Sequence, residues 1–247
     1  MPDDIFIIGA AWFIGAFING LTGMGGTLIA LPLITLFVSS KSVILISFIA
    51  SIMVSLLSFT LYWRYIELKD VLGFWLPSIP GIVLGVWTLK IVDIEWLELL
   101  LCIIITLHIL VQLIQDWLGT CMAPKAIMKY VCGFIAGFFG GSIGINGPMM
   151  AMYASLICME KNSARGFFVS STAASLISLG VVISNGMITE DVLRASSWVA
   201  PAAVLGFLCA WPLAKRIKQE TFHNALLILL GVAVISLLMR VMPYFSR

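Results

Sequence analysis

Between Asp4 and Lys41 the chain runs for 36 residues without a charge. A single α-helical bilayer crossing takes about 20 residues, so this run is too long for one span and long enough for two segments. In its middle, "GLTGMGG" (Gly20 to Gly26) places four glycines within seven residues. Glycine weakens a helix, and lipid offers no partner to a freed backbone group. The run is therefore expected to be two helical segments joined at a glycine break. A second uncharged run, Tyr130 to Met159, also carries glycines in its middle. The remaining stretches, Ser42 to Trp63, Val71 to Leu89, Leu99 to Gln115, Gly166 to Thr189, Ala195 to Ala214 and Thr221 to Met239, each suit one helix. With 61% hydrophobic and 11% charged residues, the composition excludes an ordinary soluble domain and indicates an all-α polytopic membrane protein. The opening "MPDD" has acids where a secretory signal needs bases, so the first segment is expected to be retained.

Compared with itself at an offset of 121, the chain matches without a gap from its first segment to its fourth. Phe13, Ile14 and Phe17 fall on Phe134, Ile135 and Phe138, and Gly20, Gly23, Gly26 and Ala30 fall on Gly141, Gly144, Gly147 and Ala151. Farther on, Asp70, Val71 and Leu72 meet Asp191, Val192 and Leu193, and Pro80, Val83, Leu84 and Gly85 meet Pro201, Val204, Leu205 and Gly206. Apolar similarity alone would not hold Gly, Pro and Asp in one register. The expected organisation is a duplication, residues 1–118 and 119–247, with five apolar segments in each half. An odd number of segments inverts the second half relative to the first, a plan found in many secondary transporters.

Charge counts agree with ten segments. One side gathers Arg64, Lys69, Lys125, Lys129, Lys161, Arg165, Lys215, Arg216 and Lys218, and the other only Lys41, Lys90, Arg194, Arg240 and Arg247. The positive-inside rule makes the richer side cytoplasmic and leaves both termini outside. A hairpin that enters and returns has the same parity as two crossings, so charge does not distinguish them. Trp63, Trp75, Trp96 and Trp117 sit near segment ends, where interfacial anchors belong.

A helix that begins at a glycine break offers free N–H groups and a positive dipole end, which attract an anion without a buried cation. In the first half the amides of Gly25, Gly26 and Thr27 would do so, beside Gly23, the hydroxyls of Thr22 and Thr27, and Asn19. In the second half the matching group is Ser142, Gly144, Asn146 and the amide of Gly147, with Pro148 suited to a first helical turn. Arg165, at the start of a span, could contact or steer an anion or simply mark the cytoplasmic interface. Close packing is the competing role for glycine, and it is favoured for Gly81, Gly85, Gly133, Gly137 and Gly141. Ser170, Ser171, Thr172 and Ser175 line one span, where hydroxyls often only join helices. His108, within a span, has Leu229 as its repeat partner and reads as a core histidine outside the shared machinery.

Cys102, Cys121, Cys132, Cys158 and Cys209 form no ligand spacing and read as apolar packing thiols. No Asp or Glu falls within an apolar core, which argues against a carboxylate proton pump. The sequence also holds no nucleophile–base pair, metal-ligand cluster or nucleotide loop, and no basic block for nucleic acid. No cofactor or metal is expected. An anion channel would share the same features and differ in needing a continuous pore.

The paired stretches "GLTGMGGTLIALPL" and "GFFGGSIGINGPMMAMY" resemble those of the TauE/SafE sulfite exporter family, also called the toluene-sulfonate uptake permease family. The resemblance covers nearly the whole chain. It rests on Gly23, Gly25, Gly26 and Pro32 in the first half, and on Gly137, Gly140, Gly141, Gly144, Gly147 and Pro148 in the second. Tyr153 stands where the repeat would place a second Pro32. The resemblance implies a multi-pass transporter of small anions in a bacterial inner membrane, with sulfite, sulfoacetate or other sulfonates as substrates and a non-sulfur carboxylate as the alternative. Oligomerisation and coupling to a proton or sodium ion are compatible with it.

Overall fold

The computed structural model describes residues 2–22, 25–38, 40–118, 126–210, 212 and 235. Gly23, the expected boundary at 119–125 and nearly all of the segment Thr221 to Met239 lie outside them. So does the side chain of His108.

Ten α-helices follow one another among the described residues. They are α1 (Pro2–Thr22), α2 (Gly26–Thr35), α3 (Lys41–Tyr62), α4 (Leu68–Ile91), α5 (Ile94–Leu118), α6 (Ala126–Ile143), α7 (Gly147–Leu156), α8 (Lys161–Val169), α9 (Ser171–Ser184) and α10 (Glu190–Ala210). Seven spans are long and apolar enough to cross a bilayer, with α8 and α9 together making one. The fold is thus an all-α, polytopic membrane architecture. Its outward face is apolar, with Leu76 72% and Trp198 69% exposed, as lipid contact requires and water would penalise.

Both glycine runs break where expected. Each second helix has only 10 residues, about 15 Å of rise against a hydrocarbon core of about 30 Å. Neither α2 nor α7 crosses alone. α2 instead folds back along α1: a Cβ on Gly15 would press on the Gly26 carbonyl and Ala30, and one on Gly26 would meet Asn19. The first run is therefore a hairpin of one long and one short arm.

The most extensive helix–helix interface joins α4 to α6, and the next joins α1 to α10. Glycines set the first. A Cβ at Gly81 or Gly85 would collide with the carbonyls of Phe134 or Phe138, and one at Gly133, Gly137 or Gly141 with those of Phe74, Ser78 or Ile82. These five glycines bring two backbones together, the packing role expected of them. At α1–α10, Gly206 meets the Phe13 carbonyl in the same way.

The two ends of the bundle hold separate polar groups. At one end Lys41 Nζ donates to the Lys90 carbonyl (3.4 Å) and Lys90 Nζ to Asn185 Oδ1 (3.4 Å). At the other, Ser163 Oγ donates to Glu67 Oε1 (2.6 Å), and the Arg165 guanidinium lies 5.4 Å from the Tyr62 ring centroid.

Three local features depart from the sequence reading. The span expected as one helix from Gly166 starts at Lys161 and is interrupted at Ser170, between α8 and α9. Glu98, in the second turn of α5, is only 4% exposed, so a carboxylate is buried at the edge of an apolar segment. Cys158 is disulfide-bonded, not a packing thiol. It lies in the turn after α7 with a left-handed φ of 49°, outside any helical face that would pack its sulfur. Cys102 and Cys132 are buried and free, as expected of packing thiols, whereas Cys209 is free but exposed.

Candidate functional site

The breaks α1–α2 and α6–α7 converge on a cavity of about 60 Å³. At about 10–15 Å³ per water, this is room for roughly four to six waters, or for a small oxyanion with residual hydration.

On the first-half side, Gly25 precedes α2 with φ 95°, a left-handed conformation that costs a residue with a Cβ but not glycine. That turn frees the N–H groups of the first turn of α2. Its first closing bond runs from Ile29 N to the Gly25 carbonyl (3.2 Å), and no side chain caps the end. Gly25, Gly26, Thr27 and Leu28 line the cavity.

The second half repeats this arrangement with different residues. Gly144 takes φ 75°, and Asn146 stands at the position before α7, where an asparagine usually caps the helix through its side chain. Here it makes no such bond, and Asn146 lines the cavity together with Gly144, Ile145 and Gly147. Met150 N closes the first turn onto the Asn146 carbonyl (3.4 Å). Pro148 removes one N–H, which leaves those of Gly147 and Met149 free of the helix ladder. The two asparagines are placed reciprocally: at the offset of 121, Asn19 falls on Gly140 and Gly25 on Asn146. Each break thus holds one amide side chain and one glycine that gives it space, with Gly26 against Asn19 and Gly140 against Asn146.

Hydroxyls complete the lining. Ser51, Ser55 and Ser58 come from α3, and Ser171, Thr172 and Ser175 from α9. Thr172 Oγ1 lies 2.8 Å from the Val169 carbonyl and 3.2 Å from the Ser55 carbonyl, so it ties α9 to α3. Trp12 and Phe168 bound the apolar parts. Trp12 is held by its Nε1 donating to Ser47 Oγ (3.1 Å). Phe167, beside Phe168, packs edge-on against Phe74 at 4.9 Å between ring centroids, and Tyr153 joins the same cluster at 5.7 Å from each. Tyr153, at an offset of 121 from Pro32, is thus a buried aromatic brace. The break at Ser170 belongs to this wall: its Oγ donates to the Phe167 carbonyl and accepts from Trp75 Nε1 (2.7 Å).

Of the residues expected at the site, the structure brings together Asn19, Gly25, Gly26, Thr27, Gly144, Asn146 and Gly147. Ser142 is fully buried and donates to the Phe138 carbonyl (2.9 Å), one turn back on its own helix and away from the cavity. Arg165 stacks on Tyr62 and does not line the cavity. Thr22 ends α1, with its side chain outside the described set, as is all of Gly23. The hydroxyl face of α3 went unread in the sequence, although the spacing of Ser51, Ser55 and Ser58 puts them on one helical face.

None of the described residues lining the cavity is ionisable. Donors without fixed charge can hold an anion there, because helix-start N–H groups, amides and hydroxyls stabilise negative charge with no buried cation to desolvate.

No curated protein and no solved structure matches the chain significantly. The family described as sulfite exporter TauE/SafE matches residues 7–237. The chain belongs to this family of membrane transporters, and it is a transporter and not an enzyme.

Proposed function

We infer that the protein is a secondary transporter which holds a small sulfur oxyanion or organosulfonate, such as sulfite or sulfoacetate, between the starts of α2 and α7. The observation that carries this reading is the meeting of two uncapped helix starts at one cavity with no ionisable residue among its described lining. Such a site attracts anions through backbone groups already in place. Its size favours small substrates over bulky aromatic sulfonates.

The chain is read as two inverted repeats, residues 1–118 and 119–247, with both termini outside the cytoplasm of a bacterial cell. Reciprocal packing supports this: with α8 and α9 taken as one segment, the first segment of each half lies on the fourth of the other, α1 on α10 and α6 on α4. Grouping of Lys41 with Lys90, and of Glu67 with Ser163, agrees with the parity that the charge count requires. Transport proceeds by rocking of one half against the other around the cavity.

The test is counterflow in proteoliposomes. Preloaded unlabelled sulfite should drive transient, saturable accumulation of labelled sulfite. Linear, non-saturating flux would instead establish a channel, and absence of flux for sulfite, sulfoacetate and thiosulfate would refute a sulfur-anion transporter.

A further inference from the structure

We propose that the cavity takes its anion in a singly protonated form, so that the substrate carries its own proton across the membrane. The inference rests on the transporter reading above and specifies which ionic state of the anion that site accepts.

The first argument is the hydrogen-bond inventory. An oxygen within bonding distance of a backbone carbonyl must donate to it, because the carbonyl has no proton to offer. Ser51 Oγ donates to the Phe48 carbonyl (2.9 Å), Ser58 Oγ to the Val54 carbonyl (3.1 Å) and Thr172 Oγ1 to the Val169 carbonyl (2.8 Å). Their protons are committed, so these three cavity-lining hydroxyls offer lone pairs to a ligand. Asn19 adds a further acceptor: its Oδ1 is buried and has no hydrogen-bond partner. Asn19 Oδ1 is therefore a buried acceptor without a donor, a shortage costly enough to be rare. The helix starts of α2 and α7 supply N–H donors for the charged oxygens of a ligand, while Asn19 Oδ1 and the committed hydroxyls of Ser51, Ser58 and Thr172 ask the ligand for a proton. An anion that keeps one acidic hydrogen satisfies both linings. A fully ionised dianion satisfies only the first, and the hydroxyls of Ser51, Ser58 and Thr172 would each give up a bond to turn towards it.

The second argument is charge. The cost of moving an ion out of water grows with the square of its charge, so a dianion costs roughly four times what a monoanion of equal size does. Buried cations could offset this, but none is among the described residues that line the cavity. Its walls come from α1, α2, α3, α7, α8, α9 and the turn before α7. The charged or phenolic side chains described on these helices are Asp4, Lys41, Tyr62, Tyr153 and Arg165, and none lines the cavity. Two helix dipoles, each about half an elementary charge, balance one negative charge and not two.

The test is equilibrium binding of sulfite, sulfate and methanesulfonate to the intact purified protein from about pH 5.5 to about pH 8.5. Sulfite can carry one proton in this range, sulfate is a dianion without a donor, and methanesulfonate is a monoanion without a donor. Apparent affinity for total sulfite should be constant at the acid end and fall about tenfold per pH unit once hydrogensulfite ionises. Methanesulfonate should bind weakly with no pH dependence, and sulfate should not compete. In the Ser51→Ala, Ser58→Ala double variant, the preference for sulfite over methanesulfonate at acid pH should shrink about tenfold. A flat pH profile for sulfite, or competition by sulfate as effective as that of sulfite, would overturn the protonated-substrate inference and leave the anion site standing. If none of the three binds at any pH, the anion-transport reading fails, and this inference fails with it.

Discussion

Gly137 lies where α6 crosses α4, and Gly137→Ala tests how closely the two backbones are held. The added methyl would overlap the Ser78 carbonyl oxygen and lie 2.8 Å from the Ser78 Cα and carbonyl carbon, whereas ordinary contact begins near 3.4 Å. The helices would have to part by about 0.6 Å or more, and gaps of this size forfeit a quarter to a half of the dispersion energy of the atoms they separate. Overpacking usually costs about 1–3 kcal/mol. Because every obstructing atom here is backbone, with no rotamer to yield, the upper part of that range applies, about 2–3 kcal/mol. Against it stands a gain of about 1 kcal/mol from replacing glycine by alanine within a helix, for a net loss of about 1–2 kcal/mol. Gly140→Ala, one turn on in the same helix, is the matched control. Its methyl meets only Asn146 Cβ at 3.4 Å and Nδ2 at 3.9 Å, so the propensity gain is largely kept. Thermal unfolding in detergent, followed by scanning fluorimetry, should place Gly137→Ala below wild type and Gly140→Ala at or above it. A Gly137→Ala protein as stable as Gly140→Ala would refute glycine-mediated contact between α4 and α6.

Ser170→Ala should destabilise by about 1–3 kcal/mol, because Trp75 Nε1 would be left buried without its acceptor; the thermal midpoint reads this, and an unchanged midpoint would remove the Trp75–Ser170 bond from the wall. Arg165→Gln should leave substrate affinity unchanged and cost about 0.5–1 kcal/mol of stability through loss of its contact with Tyr62; a several-fold rise in Kd would restore Arg165 to the site. Gly180→Ala, with nothing within 4 Å of the new methyl, should stabilise by about 1 kcal/mol, and a lowered midpoint would reveal a neighbour at that face.

The breaks were legible because glycine concentrated inside an uncharged run has few other uses. The seven residues from Gly20 to Gly26, and the stretch from Gly140 to Pro148, marked both helix starts to within a residue or two. The length of α2 was less legible. It ends at Thr35 with no glycine, proline or charge to stop it, and its interior carries Pro32, whose carbonyl accepts from Thr35 Oγ1 (3.0 Å). Hydropathy continues unbroken past that end, so composition could not show a half-length helix. The break at Ser170 left no local mark either. It is held by Trp75, 95 residues away in sequence, and a tertiary bond of that kind has no signature in a window of neighbours. Ser142 lies before the break, where its hydroxyl bonds its own helix, a tie that its place among the glycines does not reveal. The serines of α3 share a face in plain view, but spacing alone does not separate a lining from helix glue.

The most direct measurement is equilibrium binding of sulfite to wild type, Gly26→Val and Gly147→Val, each checked for monodispersity and helical content. A valine at Gly26 would crowd Asn19 Nδ2, which lies only 3.1 Å from the position of its Cβ, and at either helix start it would obstruct approach to the bare N–H groups. If the anion is held between the starts of α2 and α7, wild type binds sulfite and both folded variants lose at least tenfold in affinity. Wild-type affinity in either folded variant would contradict the account, because that helix start would then contribute nothing to the site.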